Sequence, residues 1–217
     1  MLIKNNYFIK EEREHSLNKI CSSIIIKKNL PQFDINSSAL IITDMQNYFL
    51  NENSHAFVPS GLEIIENINK LIQIFEKTNR PVIFTQHINN ENNADLMGVW
   101  WKELILVDNP LSEITDLLNK DKAIFLQKTQ YDAFYNTSLN ELLNKHNVKQ
   151  VVITGVMTHL CCETTARSAF IRGKLPFIPI DATATYNLEL HSASIQNLSH
   201  GFCVPVLTKE FEKKYDK

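Results

Sequence analysis

Residues 151–173 read VVITGVMTHLCCETTARSAFIRG, and the fold of the chain follows from them. The β-branched run Val151-Val152-Ile153-Thr154 predicts a buried strand, which Gly155 ends. Thr158 opens a helical pattern that carries Cys161 and Cys162 in about its first turn and stops at Gly173. Arg167 and Arg172 stand toward its C-terminal end, where cations complement the helix dipole. A thiol at a helix N-terminus, just past the carboxyl end of a strand, stands where thiolate is favoured and where open α/β sheets bind ligands. What the other strands bring to that edge then decides the chemistry.

Upstream, Ala39-Leu40-Ile41-Ile42 is a continuous apolar run, as in a strand buried on both faces, and it ends in Thr43-Asp44-Met45-Gln46-Asn47. Residues 51–60 read as a loop. Leu62, Ile64, Ile65, Ile68, Leu71, Ile72 and Phe75 have helical spacing, with a stop near Asn79-Arg80-Pro81. Residues 81–85 are a second strand, followed by Gln86 and His87. Residues 88–110 form a long, partly structured loop beside the ligand edge, with Trp100 and Trp101 in it. Residues 111–118 predict a short helix. Residues 123–126 are a third strand ending in Gln127-Lys128, with Tyr131 and Phe134 in the loop beyond, and 138–146 are another short helix.

Downstream, residues 175–180 are a fifth strand, made irregular by Pro176 and Pro179, and it ends at Asp181, a turn or helix cap. A helix over 189–198, a sixth strand over 202–206 and a final helical turn complete the chain. Strands alternating with helices imply βαβ units, hence an α/β fold with a parallel sheet covered by helices on both faces. Residues 1–37, including the charged Glu11-Glu12-Arg13-Glu14, are an N-terminal extension packed on the body or on a partner subunit. Residues 38–217 form the one domain.

Composition narrows the function. Of 217 residues 44% are hydrophobic and 21% charged, enough for a sizeable core, and the net charge of −2 predicts neither nucleic-acid nor membrane binding. No apolar run approaches the ~20 residues of a membrane span, and the first residues lack the apolar core of a signal peptide, so a cytoplasmic location is expected. The four cysteines, Cys21, Cys161, Cys162 and Cys203, contain no CxxC pair, and adjacent Cys161-Cys162 is poor geometry for a disulfide; free thiols are expected. With five glycines and no GxGxxG or GxxxxGK[ST] motif, nothing reads as a phosphate loop.

The strand ends bring Asp44, His87, Lys128, Cys161 and Asp181 to one edge. A cysteine attacks as thiolate and needs a proton acceptor and a favourable field; Asp44 can take the proton, and Lys128 can keep Asp44 ionised and add positive charge near the sulfur. Each residue alone has a plainer reading: Asp44 a turn residue, Lys128 a surface charge, Cys161 a small core residue. The chemistry does not by itself choose between Cys161 and Cys162.

Together, Asp44 in ALIITDMQNYF, Lys128 in FLQKTQYDAF and Cys161 in ITGVMTHLCCETTARSAF resemble the Asp-Lys-Cys triad of the isochorismatase-like cysteine hydrolases, which include nicotinamidases, carbamoylsarcosine amidases and isochorismatases. The resemblance covers about residues 39–208, and its Gly-x-x-Thr-x-x-Cys spacing selects Cys161. It implies a three-layer α/β/α fold with a six-stranded parallel sheet in the order 3-2-1-4-5-6. It also implies a cis peptide in the Gly155-Val156-Met157 turn and an oxyanion hole from the backbone N–H groups of Met157 and Cys161. Members are commonly dimers or tetramers, so a homo-oligomer is expected.

The resemblance implies a hydrolase that needs no cofactor and acts on a small molecule. Isochorismatases proper typically have glycine where this chain has Cys161, which points instead to cleavage of an amide or ureido C–N bond through a Cys161 acyl-enzyme. The alternatives are isochorismatase-type vinyl-ether hydrolysis and a non-catalytic protein that binds a small molecule or a carrier protein. Nicotinamidases hold a metal with an aspartate and histidines after the second strand. Here only His87, Glu91 and Asp95 stand between residues 85 and 101, which argues against a metal and, with it, against nicotinamide. Gln46, Phe49, His87, Trp100, Trp101, Tyr131 and Phe134 are the candidates for substrate contact.

Overall fold

The computed structural model describes residues 3–25, 27, 29–101 and 103–215; what was expected of the N-terminal extension at residues 1, 2, 26 and 28 lies outside the described residues. The elements, in order, are α1 (Arg13–Ser23), β1 (Ser38–Thr43), α2 (Asn47–Leu50), α3 (Ile65–Lys77), β2 (Val82–His87), α4 (Leu96–Trp100), β3 (Ile124–Lys128), α5 (Leu139–Lys145), β4 (Gln150–Val156), α6 (Glu163–Ile171), β5 (Leu175–Pro179), β6 (Thr183–Ala184), α7 (Leu188–Gly201), β7 (Val204–Val206) and α8 (Thr208–Tyr215).

The main sheet runs β3-β2-β1-β4-β5-β7 and all its pairings are parallel. β1 and β4, at its centre, are buried at every position, as their unbroken apolar runs require. α3 and α8 pack together on one side, over β1 and β2, while α6 and α7 cover β4, β5 and β7. Among the described residues no helix is long and apolar enough to cross a membrane.

The sheet has seven strands rather than six. After Pro179 the chain continues in the same direction, and the two-residue β6 pairs, also parallel, with Gly155 and Val156 further along β4, so the expected sixth strand is β7. The helix expected over 111–118 is absent beyond a 3₁₀ turn at Pro110–Ser112. That segment is drawn out along the chain after β1 instead, where Thr115 N–H donates to the Met45 carbonyl (2.9 Å) and Asn47 N–H to the Glu113 carbonyl (2.9 Å). The helix read from residue 62 starts as a 3₁₀ turn, Pro59–Ile64, before α3. Asp181 caps α8 from a distance, its Oδ1 accepting from the N–H and hydroxyl of Thr208 (both 2.9 Å).

The α6 C-terminus shows why Gly173 is glycine. It sits at φ 72°, and the N–H groups of Gly173 and Lys174 close onto the carbonyls of Phe170 and Ala169 (both 3.0 Å), a left-handed cap that glycine adopts without a Cβ penalty.

The N-terminal segment is tied to the body through Tyr7, which is fully buried. Its hydroxyl accepts from Thr185 N–H (2.9 Å) and shares a hydrogen bond with His191 Nδ1 (2.7 Å), and its own N–H donates to Ser60 Oγ (3.0 Å). Tyr7→Phe would leave the buried Thr185 N–H without an acceptor, at a cost of about 1–3 kcal/mol. Urea unfolding should show that loss in the midpoint with an unchanged m-value; an unaltered midpoint would contradict this anchoring role.

Candidate active site

The carboxyl edge is assembled by strand register. His87 and Lys128 are directly paired across β2 and β3, and Thr43 is paired with Gly155 across β1 and β4. Asp44 follows Thr43 at φ 49°, a left-handed conformation that aspartate tolerates better than most residues, and this turns its side chain into the edge. At Gly155 the backbone is at φ 99°, and a Cβ would lie 2.1 Å from the Thr43 carbonyl oxygen. No side chain fits there, so Gly155 sets how closely the chain before Asp44 approaches the chain before Cys161.

Beyond Gly155 the Val156–Met157 peptide bond is cis. Residues Thr158–Cys162 form a π turn, in which Cys162 N–H donates to the Met157 carbonyl (3.2 Å), and the α-helix starts only at Glu163. A single helix from Thr158 was expected; the extra residue in this turn is a feature often found at functional sites. The two cysteines part here. Cys162 turns inward onto Thr43 Oγ1 (3.0 Å), while Cys161 faces a cleft.

Asp44, Lys128 and Cys161 are brought together. Lys128 Nζ lies 2.7 Å from Asp44 Oδ2, with neither side chain exposed, and 3.5 Å from Cys161 Sγ. Thr85 Oγ1 donates to Asp44 Oδ1 (2.6 Å), and the charge of the same carboxylate acts on the Cys161 thiol. Burial opposes ionisation of Asp44, but Lys128, with His87 and hydrogen bonding, holds its carboxyl below the usual range. Burial likewise opposes the Lys128 charge, and Asp44 with Cys161 holds the ammonium pKa up. The Cys161 thiol is pushed well above its ordinary value, first by burial and then by the Asp44 charge, against Lys128. The resting sulfur is therefore a thiol facing a carboxylate, where the helix-start argument favoured thiolate.

The cleft above Cys161 is open to solvent, with about 520 Å³ of empty space in and over it. Four of the candidates for substrate contact line it: Phe49, His87, Trp101 and Tyr131. Three stand elsewhere. Gln46 is fully buried and clamps backbone, accepting from His87 N–H (2.8 Å) and donating to the carbonyls of His87 (3.0 Å) and Ser112 (2.7 Å). Trp100 points outward from α4, 78% exposed, while the neighbouring Met97 and Trp101 line the cleft. Phe134 is buried in the core under Arg172, whose guanidinium lies 4.8 Å from the ring centroid.

Other wall residues escaped the sequence reading. Asn89 stands two residues after His87, on the same side of extended chain, and a period of two would have found it. Tyr48 sits beside Phe49, and its hydroxyl lies 3.1 Å from His55 Nδ1 and 3.4 Å from Glu103 Oε2. His55, Glu103 and Ile105 come from aperiodic loops, which carry no sequence signal for direction. Among the described residues no three His, Cys, Asp or Glu side chains gather as a metal would require.

An isochorismatase domain profile matches residues 38–210. The chain belongs to the isochorismatase family. It is 39% identical to nicotinamidase 3 of Arabidopsis thaliana over 173 residues, 76% of this chain and 82% of that one. It is 32% identical to the isochorismatase of Bacillus subtilis over 179 residues, 81% of this chain but only 57% of the relative. In fold it is similar to a cysteine hydrolase from Pseudomonas syringae pv. phaseolicola, with a TM-score of 0.79, 23% identity and coverage of 88% and 99% of the two chains. Family membership makes the chain an isochorismatase-family hydrolase.

Two predictions follow from the geometry. Gly155→Ala should lower both stability and hydrolytic activity, since the new Cβ must displace the Thr43 carbonyl next to Asp44; a cost of about 1–3 kcal/mol is expected in thermal or urea unfolding. The second concerns acid. His87 is held neutral to about 4, mainly by burial and then by Lys128, and His191 to about 3 by burial. Both folded values lie below the unfolded ~6.5, so this stability is complete above pH 6.5 and is lost as pH falls toward the folded values. The unfolding free energy should drop by about 2 kcal/mol per histidine between pH 7 and pH 5. A flat urea midpoint over that range would contradict the neutral assignment.

Proposed function

We propose that this protein is a metal-independent cysteine hydrolase that cleaves the amide or ureido C–N bond of a small molecule. The observation that carries the reading is the Cys161 thiol on the cleft floor, 3.5 Å from a buried ammonium that is itself 2.7 Å from a buried carboxylate.

In this mechanism Asp44 takes the thiol proton and Lys128 stabilises the developing thiolate. Sulfur attacks the substrate carbonyl, and the backbone N–H groups of Met157 and Cys161 hold the oxyanion. Asp44 then gives its proton to the departing nitrogen. In the second half it draws a proton from water, which releases the acyl group from sulfur.

The cleft walls favour a neutral substrate with a flat apolar part. Phe49, Trp101 and Leu160 line it, and among the described residues its wall contains no Lys or Arg. Likeness to a nicotinamidase puts nicotinamide at the head of the panel to test, even though no His, Cys, Asp and Glu cluster that could hold a metal occurs among the described residues. The second reading, vinyl-ether hydrolysis, has the likeness to an isochorismatase in its favour. Isochorismate carries two carboxylates, which suits this wall less well.

The test is ammonia release from nicotinamide, other aromatic amides and N-carbamoyl compounds, with isochorismate run alongside. Cys161→Ala and Asp44→Asn should each reduce turnover on the order of 10³-fold or more. Mass spectrometry of the wild-type protein should find an acyl adduct on the Cys161 peptide. Turnover of isochorismate that survives Cys161→Ala would favour the second reading, and full amidase activity in that variant would sink the first.

A further inference from the structure

The isochorismatase profile begins at residue 38, but the chain before it is bonded to the wall of the cleft. Between residues 3 and 7 the contacts alternate. The odd residues lie along 187–185, running the opposite way: the Ile3 carbonyl accepts from Asn187 Nδ2 (2.8 Å), Asn5 N–H donates to the Tyr186 carbonyl (2.9 Å), and the Tyr7 hydroxyl accepts from Thr185 N–H (2.9 Å). The even residues turn to the loop between α2 and α3. Lys4 Nζ donates to the His55 carbonyl, Asn6 Nδ2 donates to Glu63 Oε1 (3.1 Å), and Asn6 Oδ1 accepts from Ser60 Oγ (3.1 Å). Successive side chains of extended chain point to opposite faces, and this arm uses that to join two segments far apart in the sequence.

Each of those segments belongs to the cleft. Thr185 Oγ1 shares a hydrogen bond with Nδ1 of His159, which stands in the π turn that presents Leu160 and Cys161 to the cleft. His55 and Ala56 line the cleft from the loop, and the His55 ring meets the wall residue Tyr48 edge-on, with centroids 5.7 Å apart and Nδ1 3.1 Å from the hydroxyl. Lys4 Nζ also lies over the Tyr186 ring, 4.2 Å from its centroid. On the reading of this cleft as the substrate site, we infer that the N-terminal arm is part of the substrate-binding wall and that Lys4 braces the His55 loop against the turn of Cys161. Lys4 is then a positioning residue, acting through His55 and Tyr48.

The loop is of the kind that needs a brace. Its backbone bonds are local: Asn53 N–H to Asn51 Oδ1 (2.9 Å), Ser54 N–H to the Asn51 carbonyl (3.0 Å) and Phe57 N–H to the Ser54 carbonyl (3.1 Å). Such bonds fix the shape of a loop, while its place is set by what it packs against. Lys4 ties it from outside, through a charge-assisted bond that is stronger than a neutral one. Without that tie His55 is free to move from Tyr48, and a flat substrate loses the surface it fits. The sulfur is not affected, because Asp44 and Lys128, which act on it, belong to the ends of β1 and β3. The brace therefore governs binding and leaves thiol reactivity alone.

The experiment compares two alkylating reagents on the full-length protein, with the label located at Cys161 by peptide mapping. Iodoacetamide is small and reads the reactivity of the sulfur. N-phenylchloroacetamide carries a flat ring that must fit the cleft, so its labelling rate should saturate with concentration and yield a KI and a maximal rate. In Lys4→Met the KI should rise several-fold, with the maximal rate and the iodoacetamide rate unchanged. Lys4→Arg, which keeps a cationic donor, should return the KI toward the wild-type value. Lys4→Ala should repeat the Lys4→Met result and serves in its place should that variant not fold. A wild-type KI in the Met and Ala variants would overturn the inference. So would an equal change with both reagents, which is what a merely structural role would produce. Labelling of the wild type by the phenyl reagent that never saturates would instead contradict the reading of the cleft as a binding site, and the brace with it.

Discussion

The ion pair between Asp44 and Lys128 has no exposure to solvent on either side chain, and the carboxyl edge of the sheet is built around it. Taking two such charges out of water costs several kcal/mol per ion, and their attraction offsets this only with good geometry and further hydrogen bonds. Those bonds come from the neighbouring strand and loop: Thr85 of β2 on Asp44, and the Gln130 carbonyl on Lys128. Three strand ends are thereby locked in register. The pair adds no net charge, so the cleft above it can stay largely apolar while a charged acceptor lies against its floor.

The thiol is a consequence of this arrangement. Cys161 comes from the turn after β4, and that turn can approach Asp44 only because Gly155 has no side chain to meet the Thr43 carbonyl. Once there, the sulfur is buried beside a carboxylate that holds it protonated. In the mechanism proposed above, a thiol with an ionised carboxylate and a cation beside it can give up its proton without solvent as the acceptor. Cys162, one residue on, is equally buried but bonded to Thr43, which removes it from the cleft.

Much of this was legible in the sequence, for a reason that can be named. Strands buried on both faces must be unbroken apolar runs, so 39–42 and 151–154 were visible as strands, and the residue just past each run falls at the carboxyl edge. Asp44 follows the first of these runs, whereas Lys128 ends β3, an edge strand that is buried at only some positions and legible from its apolar residues 123–126. What failed was what depends on contacts distant in the chain. The 111–118 segment has helical spacing, yet pairing with the chain after β1 outweighs that local preference. Gln46 and Trp100 are of the right residue types next to the right places, but one is consumed by the backbone of β2 and the other lies on the outer side of α4. β6 is two residues long and has no pattern to read.

The sequence alone therefore determined the strands, their alternation with helices, and which chemical groups reach the edge, because burial on both faces leaves its record in the order of residues. The tertiary structure decided the protonation of those groups, the separation of Cys161 from Cys162, and the walls of the cleft. Protonation depends on burial and on charges brought from strands 41 and more residues apart, as at His87 and Lys128. The walls come from loops, whose direction is set by what they pack against rather than by any local period. Neither quantity exists until the chain has folded.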